Sequence, residues 1–200
     1  MTVELSLTPV EPSDVWAIRQ WYERTQTRPT RQRDSRWRPE RYSLVHWVGG
    51  TPGRWLDDIA YLTGRMSTDA PLDDLRWDAE VYDAARMRAC DASRLARGQH
   101  LVTTGAVELT GRLVAFTTLV GFATSRWFAG QENTIVAPEH RGHRLGTLVK
   151  VANLDLARIQ RPELRVIDTG NADSNPYMVA INEAMGFRPY HCGAQWQLDL

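Results

Sequence analysis

Lysine is almost missing from this chain: of its 24 basic residues only Lys150 is a lysine, and the rest are arginines. Net charge is missing too, with 24 acidic residues against the 24 basic ones, so no global field draws the protein to nucleic acid or to an anionic membrane. Cysteine is scarce. Cys90 and Cys192 match no metal spacing and are too few for a disulfide framework, which suits free thiols in a reducing compartment. No cluster of His, Cys and carboxylates has the pattern of a metal site. The opening MTVELSLTPVEPSD carries acids and a proline where a secretory leader would carry a basic end and an apolar run. No stretch approaches the ~18 continuous apolar residues of a membrane span. The expectation is a cytoplasmic protein with no membrane partner and no metal.

What is present is 42% apolar composition in 200 residues, enough for one well-buried domain with chain to spare. Residues 1–41 read as an N-terminal arm. Thr2–Leu7 suits a short strand, and Ser13 or Asp14 can cap a helix through Val15, Ile18 and Tyr22. The run RTQTRPTRQRDSRWRPER then holds seven arginines, two prolines and almost no aliphatic residue, so it cannot bury itself.

From Tyr42 to Leu200 the pattern is that of a packed domain. Tyr42–Val48 reads as a strand. Thr51 and Pro52 open a helix with an inward stripe of Trp55, Ile59, Leu62 and Met66. A second helix is expected over about 78–97, with Tyr82, Ala85, Ala89, Ala92 and Ala96 inward and Gly98 as its stop. Strands follow at Leu101–Leu109, Arg112–Phe122 and Gln131–Ala137, the first two joined tightly at Thr110-Gly111. A long helix over about 142–160 turns Leu145, Val149, Ala152, Leu156 and Ile159 inward. A strand at Leu164–Thr169 precedes a helix begun by Asn175-Pro176 and stopped at Gly186, and strand material closes the chain. This order, βααβββαβαβ, predicts an α/β (α+β) domain whose central twisted sheet is mixed, mostly antiparallel, with helices on both faces.

The most informative stretch is TIVAPEHRGHRLGTLVK. A β-branched strand enters a short turn that opens an amphipathic helix. A helix start exposes about four unpaired N–H groups and roughly half a positive charge. Gly142 and Gly146, with Arg141 beside them, would let phosphate oxygens approach those groups. The spacing is neither that of a P-loop nor that of a dinucleotide fingerprint.

Residues 134–147 resemble the acetyl-CoA motif of the GNAT acetyltransferases, R/Q-x-x-G-x-G/A after a strand ending in V-x-P. LRVIDTGNADSNPYMVAINEAMGF, residues 164–187, resembles the superfamily's next strand and helix. In wording the chain is most similar to the C-terminal module of tandem-GNAT proteins, and its first residues would then be the remnant of a lost module. The resemblance implies the GNAT fold and acetyl-CoA as co-substrate. It implies backbone contacts to the pantetheine arm from Ile135 and Val136, with an amide near Val136 as oxyanion donor. It implies a phosphate cradle from Arg141, Gly142, His143, Arg144, Leu145, Gly146 and Thr147, and contacts from Asn171 and Asn175. Two positions depart from the pattern. Arg144 stands where glycine is usual, and Asn182 stands where many members place a tyrosine that protonates the leaving thiolate. Asn182 can only hydrogen-bond the sulfur. Glu132 is the expected base for the acceptor amine, with Glu108 as the alternative.

The reaction this implies is direct transfer of an acetyl group to a primary amine, the acceptor being a small molecule. Trp55, Trp77, Trp127 and Phe128 form the expected aromatic wall, with specificity in residues 50–78 and 123–131. Two other readings are weighed: a module that binds acyl-CoA without transferring, and a nucleic-acid-binding protein that uses the arginine-rich arm. Asp34, Glu40 and the neutral overall charge argue against the second. The arm makes a homodimer a reasonable expectation.

Overall fold

The computed structural model describes residues 2–6, 41–69, 78–172, 174–193 and 196–198. The helix expected through Val15 to Tyr22, the arginine-rich run up to Glu40, and Trp77 lie outside the described residues. Five strands form the main sheet in the order β2-β3-β4-β5-β6, with ranges Tyr42–Val48, Gln99–Glu108, Leu113–Phe122, Ser125–Val136 and Val166–Asp168. The first four are antiparallel neighbours, and β6 pairs with β5 in parallel. A smaller antiparallel sheet places β1 (Thr2–Ser6) between β7 (Gly170–Ala172) and β8 (Arg188–Gly193). Helices α1 (Leu56–Asp69) and α2 (Ala84–Ala96) precede β3, α3 (Leu145–Gln160) joins β5 to β6, and α4 (Pro176–Ala184) joins β7 to β8. Among the described residues no helix is long and apolar enough to cross a membrane, and no group of side chains could hold a metal ion.

Helices cover both faces, as the element order predicts. Neighbouring strand residues point to opposite faces. Thr104 reaches α3, its hydroxyl donating to Asn153 Oδ1 at 3.0 Å, while Asn153 Nδ2 donates to the Val102 carbonyl at 3.0 Å. Thr103, one residue back, faces a cavity walled by α1 and α2. With both faces covered, β3 and β4 are buried along most of their length. Core side chains such as Leu62, Leu113 and Val149, at 0–1% exposure, each contribute about 1.5–3 kcal/mol.

Local rules explain most element ends. The Glu108 and Gly111 amides close the Thr110-Gly111 turn on Arg112 and Glu108 carbonyls, with Gly111 at φ +90°. Gly98 and Gly186 follow helix ends at φ +72° and +90°, a region open to glycine at little cost.

The differences from expectation have physical causes. Thr51 does not cap a helix; its backbone amide donates to Asp91 Oδ2 at 2.7 Å, and a 3-10 turn, Gly53–Trp55, leads into α1. Ala85, Ala89, Ala92 and Ala96 face outward, because Met87, with more apolar surface to hide, takes the inward position of α2. Asp83, whose carboxylate accepts from the Arg86 amide at 2.7 Å, starts that helix later than expected. Ile159, in the last turn of α3, is 74% exposed. Strand β5 begins at Ser125 because Phe122 pairs with Ser125, so most of the loop expected at 123–131 is strand.

Candidate functional site

Strand β5 positions the site by changing its company. Phe128, Ala129 and Gly130 pair with β6, but from Gln131 onward β5 continues beside β4 alone while β6 ends at Asp168. Among the described residues the edge from Gln131 to Val136 therefore has no strand beside it. Between Thr117 and Leu119 on β4 the register also slips: Glu132 and Asn133 together oppose Thr118, a β-bulge. Gln131 Nε2 fills the gap, donating to Thr117 Oγ1 at 2.8 Å and to the Thr118 carbonyl at 3.0 Å.

Backbone alternation then orients the end of the strand. The Ala137 amide donates to the Val114 carbonyl at 2.8 Å, so Val136 turns its N–H and C=O toward the opposite, unpaired edge. Arg141 Nε donates to that carbonyl at 3.2 Å, which leaves the Val136 N–H facing the edge. The Ile135 side chain is buried.

The loop after β5 is held by its own side chains. Arg141 forms an ion pair with Asp69, which also pairs with Arg65 at 2.5 Å, so the end of α1 is tied to the loop. The Tyr42 hydroxyl and His140 Nδ1 share a hydrogen bond at 2.9 Å, and His140 Nε2 lies 3.7 Å from Glu108. His143 Nδ1–H donates to the carbonyls of Arg141 and His140, at 3.1 and 3.2 Å. Gly142 has φ +80°, and nothing lies within 4 Å of where a Cβ would stand. Arg144 caps α3 at φ 56°, ψ 19°, the left-handed region, which explains why glycine suits this position. Leu145, Gly146 and Thr147 form the first turn of α3. A Cβ on Gly146 would meet Ile181 Cδ1 at 3.6 Å and Val136 Cγ2 at 3.7 Å, so α4 and β5 converge at this turn.

Asn175 caps α4, its Oδ1 accepting from the Met178 amide at 3.2 Å. Asn171 lies in β7 opposite Val3, and its Nδ2 is buried without a partner among the described residues. Asn182 is fully buried on the inward face of α4. Its Oδ1 accepts from Lys150 Nζ at 2.6 Å.

The opposite face of the sheet holds a cavity of about 130 Å³. Trp47, Ile59, Tyr82, Met87 and Phe116 give it apolar walls, and Asp91, Arg94 and Glu132 give it a polar rim. Glu132 pairs with Arg94 at 3.2 Å. Glu108 is elsewhere, at the far end of β3, accepting from Thr110 at 2.6 Å. The expected aromatic wall does not assemble: Trp55 packs in the core, while Trp127 and Phe128 lie on β5 where it pairs with β6. Trp47, Tyr82 and Phe116 take that place. Their signal was only strand or helix membership, which cannot tell core from cavity.

The fold that carries this site is shared with known proteins. A tandem GNAT protein from the clavulanic acid biosynthesis pathway is 31% identical over 94% of this chain, with a TM-score of 0.68. The chain belongs to the GNAT superfamily. It spans about half the length of that tandem relative. An acetyltransferase of Trypanosoma brucei is 21% identical, with a TM-score of 0.53, over 79% of this chain and 100% of its own. A GNAT phosphinothricin acetyltransferase of Sinorhizobium meliloti, solved with acetyl-CoA, is 14% identical over 72% of this chain and 75% of its own, with a TM-score of 0.55. These two share the fold. No family model matches the sequence, and no curated protein does.

Proposed function

We propose that the protein is an acyl-CoA-dependent N-acetyltransferase that moves an acetyl group from acetyl-CoA to a primary amine of a small molecule, by direct attack within a ternary complex. The observation that carries this reading is the double use of β5. Its free edge from Gln131 to Val136 leads to the start of α3, and the Glu132 side chain of the same strand reaches the cavity on the other face.

The residues fit the cofactor. Gly142 leaves open space where a Cβ would stand, and the first turn of α3 presents backbone donors of the sign a pyrophosphate requires. The amides of Gly142, Leu145, Gly146 and Thr147, with the side chains of Arg141, His143 and Arg144, would hold the phosphates. Val136 would hold the arm by the N–H it turns to the free edge, with contacts from Asn171 and Asn175; the backbone groups of Ile135, by the same alternation, turn to β4 and do not reach the arm. Acetyl-CoA, when bound, would supply an activated acyl carbon as a thioester. The Val136 N–H is the oxyanion donor, set before reaction and so needing no reorganisation. Glu132, oriented by Arg94, takes the proton of the amine directly or through a water.

The test is the melting temperature with and without acetyl-CoA, for the wild type and for Gly146→Asp. Ligand at 100 times its dissociation constant adds about 2.7 kcal/mol, a rise of a few degrees. The carboxylate added in Gly146→Asp repels phosphates and removes the rise. No rise in the wild type would sink the reading.

A further inference from the structure

Lys150 is the only lysine of the chain, and it is 1% exposed in the middle of α3. Its Nζ donates to Asn182 Oδ1 at 2.6 Å and stands 5.3 Å from the ring of Phe187. Neither of these groups carries charge, and burial brings the lysine down from its ordinary value to about 7. With Oδ1 taken, Asn182 Nδ2 is buried and has no partner among the described residues. An apolar pair of similar volume would avoid both costs. The pair lies one helical turn beyond Gly146, where Ile181, the neighbour of Asn182, meets the first turn of α3 and Val136. At 0–1% exposure it thus lies beneath the junction of α4, β5 and the first turn of α3.

We propose that Lys150 is a positioning residue for the transfer reaction: it fixes the Asn182 amide so that Nδ2 is the donor to the leaving sulfur, and the pair stabilises the departing thiolate. This rests on the function proposed above. In the step, the bond from the amine nitrogen to the acyl carbon forms and the carbon–sulfur bond breaks, its electron pair staying on sulfur. The surplus proton of the nitrogen goes to Glu132 or to water. The thiolate takes its proton from solvent after release, so no side chain need act as an acid. A buried ammonium with no counter-charge favours an anion at this place and a neutral thioester much less.

Because the chain has one lysine, protein labelled with carbon-13 at lysine Cε gives a single lysine signal. In the free wild type this signal titrates near neutral pH. Saturating CoA, whose thiol can ionise, moves the midpoint up by about one unit or more, and acetyl-CoA does not. A midpoint unmoved while calorimetry shows CoA bound overturns the proposal and leaves the function standing. Binding of neither compound overturns both. A second arm compares the dissociation constants of CoA and acetyl-CoA for Lys150→Met. Acetyl-CoA affinity stays within about threefold of wild type, while the preference for CoA falls about tenfold. An unchanged preference would show that the pair only joins α3 to α4.

Discussion

Arg144 sits in a backbone conformation that an L residue other than glycine, asparagine or aspartate takes at a cost of roughly 1–2 kcal/mol. Its replacement by glycine relieves that cost but adds about 0.5–1 kcal/mol of backbone entropy, so the backbone terms of Arg144→Gly cancel to within about 1 kcal/mol. Arg144→Val, with a branched Cβ in the same place, destabilises by about 1–2 kcal/mol more; urea unfolding of both variants measures the difference. A glycine variant far less stable than wild type would show that the side chain does more than occupy the turn. At this scale the sequence was legible where the rule is local. Asn175 caps its helix, and Gly98, Gly111, Gly142 and Gly186 all fall at positive φ. The partner of Asn182 was not legible. The polar position on an inward stripe announced a need for a hydrogen bond, but its donor is 32 residues away and on another helix.

Elements whose faces differ strongly in character were legible, and those built from small residues were not. The stripe of Ile59 and Leu62 in α1 is buried as its spacing requires. In α2 the alanines matched helical spacing equally well on two sides, and only the bulk of Met87 decided which side packs. The bulge at Glu132 and Asn133 and the early end of β6 left no mark in periodicity, because both are properties of how strands pair. The unpaired edge they create gives a prediction. Amide exchange along 131–136 slows when acetyl-CoA binds, since the arm would occupy donors that no strand holds. Exchange in β3, paired on both sides by β2 and β4, stays unchanged. Equal slowing throughout the sheet would indicate global stabilisation without an arm on this edge.

For the molecule as a whole, three buried or half-buried bases act in one direction. Burial lowers the pKa of His46 and of His100, the latter with help from Arg161 and Arg126, and burial lowers Lys150 to about 7. In each case the unfolded chain binds a proton more readily than the folded one. Stability therefore rises with pH through each window between folded and unfolded values. For the histidines it is lost as pH falls below the ordinary value of about 6.5. For Lys150 it climbs between about 7 and the ordinary 10.5, with a slope approaching about 1.4 kcal/mol per pH unit. Unfolding free energies measured from about pH 5 to 9 rise accordingly. Lys150→Met flattens the upper part of the curve, because the group that titrates there is gone. A Lys150→Met curve parallel to wild type would show that the lysine is solvated.

With the function proposed above, the protein would work beside a reactive thioester and risk acylation by its own reagent, and ε-amines are the usual casualties. Here the single ε-amine is sealed between two helices, and the side-chain cations on the surface are guanidinium groups, which hold their protons at any physiological pH. The scarcity of lysine, whatever its origin, leaves the exterior with no ε-amine for the acetyl group to mark. Amine-directed reagents, cross-linkers and coupling resins would find no lysine on it either, and tethering the protein to a surface would call for thiol chemistry at the exposed Cys192.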